Sequence, residues 1–291
     1  MTPRRDTSKW SAILLFLPPA LLLFTIFVVM PAGEAGWYSV FNWNGFGRPT
    51  RWIGLDNYRF VFENRAFGIA IVNNLLVIAV SLLVQLPLAL ALAVLLAERF
   101  RGAIVLRMLF FLPYILAEIA AGMMFSFIYD GNYGLLAAIY GWFGAEAPHL
   151  LASTATAMPA ILVVIVWKYF GFHMMLFIAA LQGMDRGVIE AARIDGASGW
   201  QLQRHVVLPL LAPTIRLSVF FAVVGALQLF DLIMPLTRGG PADASQTMVS
   251  FLYTFGVTRM RVGFGSAVGV ILFLICASFA FTYKRWMMRD E

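Results

Sequence analysis

Six apolar runs constrain this chain more than any other feature of it. They fall at roughly 11–30, 69–97, 106–129, 154–181, 213–235 and 264–283. A helix needs about 20 mostly apolar residues to cross the hydrocarbon core of a bilayer, and each run meets that length. Composition agrees, with 61% of the residues hydrophobic and 12% charged, where soluble domains carry about 25% charged residues. The chain therefore reads as an all-α polytopic membrane protein with six transmembrane helices. Its first run follows Arg4, Arg5 and Lys9 and precedes PAGEAG, as a signal peptide would. The apolar region of a signal is only about 7–15 residues, so this run reads as a retained span, kinked or interrupted at Pro18-Pro19.

Six spans place both termini on one side. With the N-terminus inside, the inner segments hold twelve basic residues: Arg4, Arg5, Lys9, Arg99, Arg101, Arg107, Arg186, Arg193, Arg204, Lys284, Arg285 and Arg289. The outer segments hold seven: Arg48, Arg51, Arg59, Arg65, Arg238, Arg259 and Arg261. Lys and Arg accumulate on the cytoplasmic side, which puts both termini there. The expected organisation is a cytoplasmic tail over 1–10, a six-span domain over 11–285 with an inner loop at 182–212, and a second tail over 286–291. The net charge of +6 is thus placed around apolar spans, where it orients the chain, and does not point to nucleic acid.

Several chemistries have no support in the sequence. Cys276 stands alone, so no disulfide framework is possible. His149, His173 and His205 lie in separate segments without metal-ligand spacing. No glycine loop with Lys and Ser/Thr is present to cradle phosphates. Any ATP hydrolysis must come from another chain, and neither metal nor cofactor is expected on this one.

Between the fourth and fifth runs stands EAARIDGASGWQLQRHVVLP, Glu190 to Pro209. GVIEAARID has a helical composition, and Gly196 stands where a left-handed residue would close that helix. Ser198, with Gln201 three residues on, has the spacing of a capping box opening a second helix. Trp200, Val206, Val207 and Leu208 supply a face to bury, and Pro209 and Pro213 mark the return to the bilayer. Such a loop is either a plain connector or a knob on which a soluble partner docks.

The spacing Glu190-Ala191-Ala192, Gly196, Val206, Leu208-Pro209 favours the second reading, because it resembles the signature loop of permease subunits in binding-protein-dependent ABC importers. GLDNYRFVF (54–62), NNLL (73–76), FLPYILAEIAAGMMFSFIYDGNYGLL (111–136) and FDLIMPLTRGGPADASQTMVSFLY (230–253) are similar to the carbohydrate-uptake branch of that family. More narrowly, they are similar to its first permease, the counterpart of the larger maltose-transporter permease, and the likeness covers nearly all of 11–285. Two departures stand out. Met184-Asp185 and Gly187 occupy positions where the family commonly has Ile-Pro and an acidic residue, and the long extra periplasmic domain of the maltose protein is absent.

The resemblance implies a type I ABC importer permease fold in a bacterial cytoplasmic (inner) membrane, importing a sugar. It implies ATPase coupling through Glu190, Ala191, Ala192, Asp195, Gly196, Leu208 and Pro209. The implied partners are a second, different permease chain, an ATPase homodimer that uses ATP and Mg, and an extracytoplasmic sugar-binding protein. The chain itself would be a transport subunit and not an enzyme. Glycerol phosphate or a glycerophosphodiester is the alternative cargo. A proton-coupled carrier or an intramembrane enzyme is a more distant alternative that leaves the loop unexplained.

Ionisable groups inside spans are costly and usually face the bundle interior or a water-filled path. Glu118 and Lys168 lie near the middle of the third and fourth runs and are expected to pair or to line the path. Sugars are held by hydroxyl hydrogen bonds and by aromatic faces. Trp167, Tyr169, Phe172 and His173 of the fourth run, with Gln228 and Asp231 of the fifth, are the candidates. Asn73 and Asn74 are expected to bridge helices. Trp37, Tyr38, Trp43 and Trp52 are expected to sit in an interfacial belt, with part of their loop meeting the binding protein.

Overall fold

The computed structural model describes residues 7–98 and 100–287. Arg4, Arg5, Arg99 and Arg289 of the orientation argument, with most of both expected tails, lie outside the described residues. Among the described residues, five helices are long and apolar enough to cross a membrane: Ile13–Tyr38, Arg65–Ala97, Ala157–Gln182, Gly199–Leu227 and Val262–Arg285. Ala103–Ile115 and Glu118–Ile128 make a sixth if this pair, bent by 96°, is one span.

Three of the expected runs differ from the structure. The first helix continues to Tyr38 through a π-helical turn at Thr25–Val29, so PAGEAG is helical, and Pro18 and Pro19 lie inside the helix. The third run is two helices, because Leu116 and Ala117 are extended (ψ 138° and 137°). Pro113 sits in the last turn before that break and has no N–H to support the ladder. The fifth run begins earlier and ends earlier than expected. Pro209 falls in the first turn after a π-helical turn at Gln203–Val207, so the helix passes through Pro209 and Pro213 and reaches back to Gly199. It stops at Leu227, and only a short helix, Ile233–Leu236, follows.

The described residues fall into two compact units. One comprises the chain up to Glu63 together with Leu252–Phe273. Within it Asn57 donates to the carbonyls of Ser39 and Phe41 at 2.8 and 2.9 Å, and the Tyr58 hydroxyl donates to Ser39 Oγ at 2.8 Å. The GLDNYRFVF segment is thereby tied to the end of the first helix. Trp37 and Trp52 both pack on Phe41, at ring-centroid distances of 5.1 and 5.2 Å.

The other unit, Asn64–Phe251 with Leu274–Glu291, is built around Ala157–Gln182, the most buried of the spans. Ala89 and Ala93 of the second span meet Phe170, Met174 and Phe177 of that helix. Gly171 lets the helix before the break approach closely, since a Cβ there would lie 2.0 Å from the Phe110 carbonyl oxygen. Small residues at contacts between membrane helices serve this purpose. Asn73 donates to the carbonyls of Ala244 and Gln246. Asn74 donates to the Ala226 carbonyl and accepts from the Met248 N–H. Asn74 therefore bridges helices as expected, whereas Asn73 ties its helix to the non-helical 244–246 stretch instead.

Candidate functional site

Two interrupted helices bring polar groups to one cavity. Glu118 opens the helix after the break at Leu116-Ala117, while Gln228 and Asp231 follow the end of the fifth span at Leu227. These three side chains line a cavity of about 440 Å³ together with Tyr169, Phe172 and His173 of the fourth span. That volume lies within the roughly 300–1,000 Å³ of small-ligand sites. Discontinuous membrane helices are where transporters commonly place substrate groups, because the broken backbone and its flanking side chains face a cavity and not lipid. Tyr114 stacks on Phe172, with centroids 4.8 Å apart and planes at 24°, and gives the wall an aromatic face. The Tyr169 hydroxyl donates to Glu118 Oε1 at 2.6 Å.

Lys168 and Trp167 are not in this wall. Trp167 packs edge-on against Phe125 with centroids 4.8 Å apart. Lys168 is 1% exposed, and its Nζ donates to the carbonyls of Pro113 and Leu116 at 3.3 and 2.7 Å. The expected Lys168–Glu118 ion pair is therefore corrected. Lys168 instead caps the end of the helix whose last carbonyls the break leaves without intrahelical partners, where a cation also suits the helix dipole. Sequence reading missed Ser81, Gln85 and Tyr114, which also line the cavity. Ser81 and Gln85 bound a π-helical turn, and Pro87 follows in the next turn. A Ser and a Gln four residues apart inside an apolar run, just ahead of a proline, was the available signal. π-turns of this kind often accompany functional sites.

The polar loop folds as two helices around a left-handed corner. Asp185 caps the first, Arg186–Ile194, by accepting from the Gly187 N–H at 2.8 Å. The departure at Met184-Asp185-Gly187 thus still provides a helix start. Gly196, at φ +89°, ends the helix in a Schellman motif. The Gly196 N–H donates to the Arg193 carbonyl at 3.1 Å and the Ala197 N–H to the Ala192 carbonyl at 2.9 Å. Ser198 occupies the N-cap of the second helix, but its side chain makes no cap bond, so the expected capping box is not formed. Its backbone carbonyl instead accepts from the Gln201 N–H at 3.0 Å.

Ile189 and Ala192 pack inward against Leu202, Val207 and Leu211. Glu190, Ala191, Asp195, Gly196 and Pro209 are exposed, and Leu208 is half-buried. Trp200, expected on the buried face, is 70% exposed, because the helix that contains it turns Leu202 inward instead. Glu190 and Arg193, both exposed, line a groove with Ala97, Glu98 and Gln182, and Ile194 is 85% exposed. Such a mixed surface suits docking more than solvent alone.

This architecture, helices broken around a polar cavity plus an exposed two-helix knob, defines a membrane transport subunit. Residues 85–287 match the family described as "Binding-protein-dependent transport system inner membrane component", and the chain belongs to that family. It is therefore a multi-pass inner-membrane component of a transport system that depends on a binding protein, the permease subunit of an ABC importer.

Among its relatives, the diacetylchitobiose uptake system permease protein NgcF of Streptomyces coelicolor is 32% identical, over 96% of this chain and 83% of that one. The trehalose/maltose transport system permease protein MalF of Thermococcus litoralis is 30% identical, over 93% and 92%. The sn-glycerol-3-phosphate transport system permease protein UgpA of Pectobacterium atrosepticum is 30% identical, over 97% and 95%. In fold, the chain matches a solved bacterial ABC transporter involved in the import of alginate. The TM-score is 0.85 at 21% sequence identity, with 98% of each chain covered.

Proposed function

We propose that this chain is the permease subunit of an ATP-driven importer of a saccharide or related polyol and forms half of its translocation path. The observation that carries this reading is the cavity itself. Stacked aromatic rings, Tyr114 on Phe172, stand beside the hydrogen-bonding groups of Glu118, Gln228 and Asp231. Sugar rings are held by this pairing of apolar faces with directed polar contacts. Relatives named for diacetylchitobiose and for trehalose/maltose support the same substrate class. The relative named for sn-glycerol-3-phosphate keeps that cargo as the second reading.

Both termini lie in the cytoplasm, as does the two-helix knob. Glu190, Ala191, Ala192, Asp195, Gly196, Leu208 and Pro209 transmit movement from an ATPase homodimer, which binds ATP and Mg. A second, different permease chain completes the path, and an extracytoplasmic sugar-binding protein loads it. Closure of the ATPase dimer draws the two knobs together, and the permease pair rocks between inward-open and outward-open states. The test is to purify the tagged chain gently from its native membrane, identify its companions, and screen the accompanying binding protein against neutral sugars and glycerol phosphates. An ATPase, a second permease and a sugar-specific binding protein are expected. A chain that emerges alone after cross-linking through Ala191→Cys, with uptake abolished by an ionophore but not by ATP depletion, refutes the proposal.

A further inference from the structure

We propose that the cavity is a charge filter. It passes neutral or ammonium-bearing polyhydroxyl ligands, it repels phosphorylated and carboxylated ones, and Glu118 is the residue that sets the preference. This rests on reading the cavity as the substrate path. The charged side chains lining it are Glu118 and Asp231, and the lining includes no Lys or Arg. Lys168 gives them no donor, since it is 1% exposed and donates to the carbonyls of Pro113 and Leu116, and its single charge offsets only one of the two carboxylates. The donor closest to Glu118 is engaged as well, because the Tyr169 hydroxyl already bonds Glu118 Oε1. The second Glu118 oxygen and the Asp231 carboxylate are left as acceptors.

Two buried side chains of the same wall reinforce this. Gln85 and His173 are 2% and 3% exposed, and Gln85 Oε1 and His173 Nδ1 have no hydrogen-bond partner. Buried polar atoms in a native protein nearly always have one, so these two are expected to gain a partner when the wall shifts around a ligand. A hydroxyl or an ammonium gives donors to Glu118 and Asp231. A phosphate or carboxylate gives none from its charged end and meets two like charges. A cavity lined by charge of one sign changes the local concentration of charged ligands by about 10- to 1,000-fold.

The potential can be read without knowing the substrate. Gly225 lines the cavity, and a Cβ there meets nothing within 4 Å, so Gly225→Cys fits. Cys276 is the chain's single cysteine, and Cys276→Ser removes the background. In membranes from cells carrying the whole importer, the thiol is reacted with a cationic (trimethylammonioethyl) and an anionic (sulfonatoethyl) methanethiosulfonate. Each rate is divided by that of a free thiol. The cationic reagent is expected to be favoured at least about tenfold, and Glu118→Gln to lower that preference by about threefold or more.

A preference near one before any change at Glu118, or a thiol that neither reagent reaches, overturns the filter even if Glu118→Gln fails to fold. A preference that survives Glu118→Gln but falls with Asp231→Asn overturns the assignment to Glu118. A preference near one with sugar uptake intact removes the filter and leaves the sugar reading standing. A full preference in an importer that moves no sugar does the reverse.

Discussion

Lys168→Met separates a backbone cap from a path residue. The ammonium is buried and holds two carbonyls, Pro113 at 3.3 Å and Leu116 at 2.7 Å. Hydrogen bonds from a charged donor contribute about 1.5–3 kcal/mol each, so the pair offers about 3–6 kcal/mol. Methionine fills a similar volume and removes the several kcal/mol of desolvation that a buried ammonium costs, which offsets part of the loss. The net destabilisation expected is about 1–3 kcal/mol. At about 2–4 °C per kcal/mol for a chain of this size, the melting transition falls by about 2–12 °C.

Glu118 is bonded to Tyr169 and not to Lys168, but Lys168 lies over the same Tyr169 ring, so the double substitution with Glu118→Gln should show a small coupling of about 0.5–1 kcal/mol. The assay is thermal unfolding of the purified chain in lipid nanodiscs for the four combinations, with uptake normalised to the amount in the membrane. Normalised uptake by Lys168→Met should stay close to that of the unaltered chain. A coupling above about 1.5 kcal/mol would restore the ion pair. Full stability with lost uptake would put Lys168 in the path and refute the capping account.

Other substitutions probe the packing and the knob. Gly171→Ala places a Cβ 2.0 Å from the Phe110 carbonyl oxygen, and overpacking of this kind costs about 1–3 kcal/mol or more, seen as a lower melting transition and reduced membrane yield. Asn74→Leu leaves the Met248 N–H unpaired, while the Ala226 carbonyl keeps the Leu229 N–H. At about 1–3 kcal/mol per orphaned group, accelerated amide exchange is expected at Met248 before any global change. Gly196→Val must hold φ +89°, at a cost of about 1–2 kcal/mol. Melting should fall by about 2–8 °C while transport per ATP hydrolysed also falls, and an unchanged ratio would remove the knob from the coupling role.

The long helices were legible because hydropathy sums over about 20 residues, and no single side chain decides it. Their interruptions were not legible, because one or two residues decide them. Leu116 and Ala117 are ordinary helix formers, so nothing at the break itself announces it. The usable signal is spread around it, with Pro113 before and an acidic residue, Glu118, where a first helical turn prefers one. The fifth run was extended to 235 for a similar reason, since LFDLIMPL is apolar apart from Asp231. The knob's two helices and its corner were readable because those signals are local, while the capping box at Ser198 and the buried face at Trp200 were not found. Gly196 ends a helix by its own backbone freedom, whereas the orientation of Trp200 depends on which neighbours Leu202 finds.

Lys168, buried, and Glu118, half-buried at the cavity wall, show what a sequence-only pairing leaves out. A helix that stops inside a membrane exposes carbonyls that neither water nor its own ladder can satisfy, and each costs several kcal/mol if left alone. A long cationic side chain on the neighbouring helix is one of the few donors able to reach two of them, which accounts for Lys168. The same stop lets the chain turn by 96° and start again at Glu118, with its carboxylate at the cavity wall. Glu118 and Lys168 are therefore linked through the broken backbone between Pro113 and Glu118 and not through a bond to each other. On this account a substitution that restored a continuous third helix would make Lys168 an unpaired buried charge and withdraw Glu118 from the cavity at once.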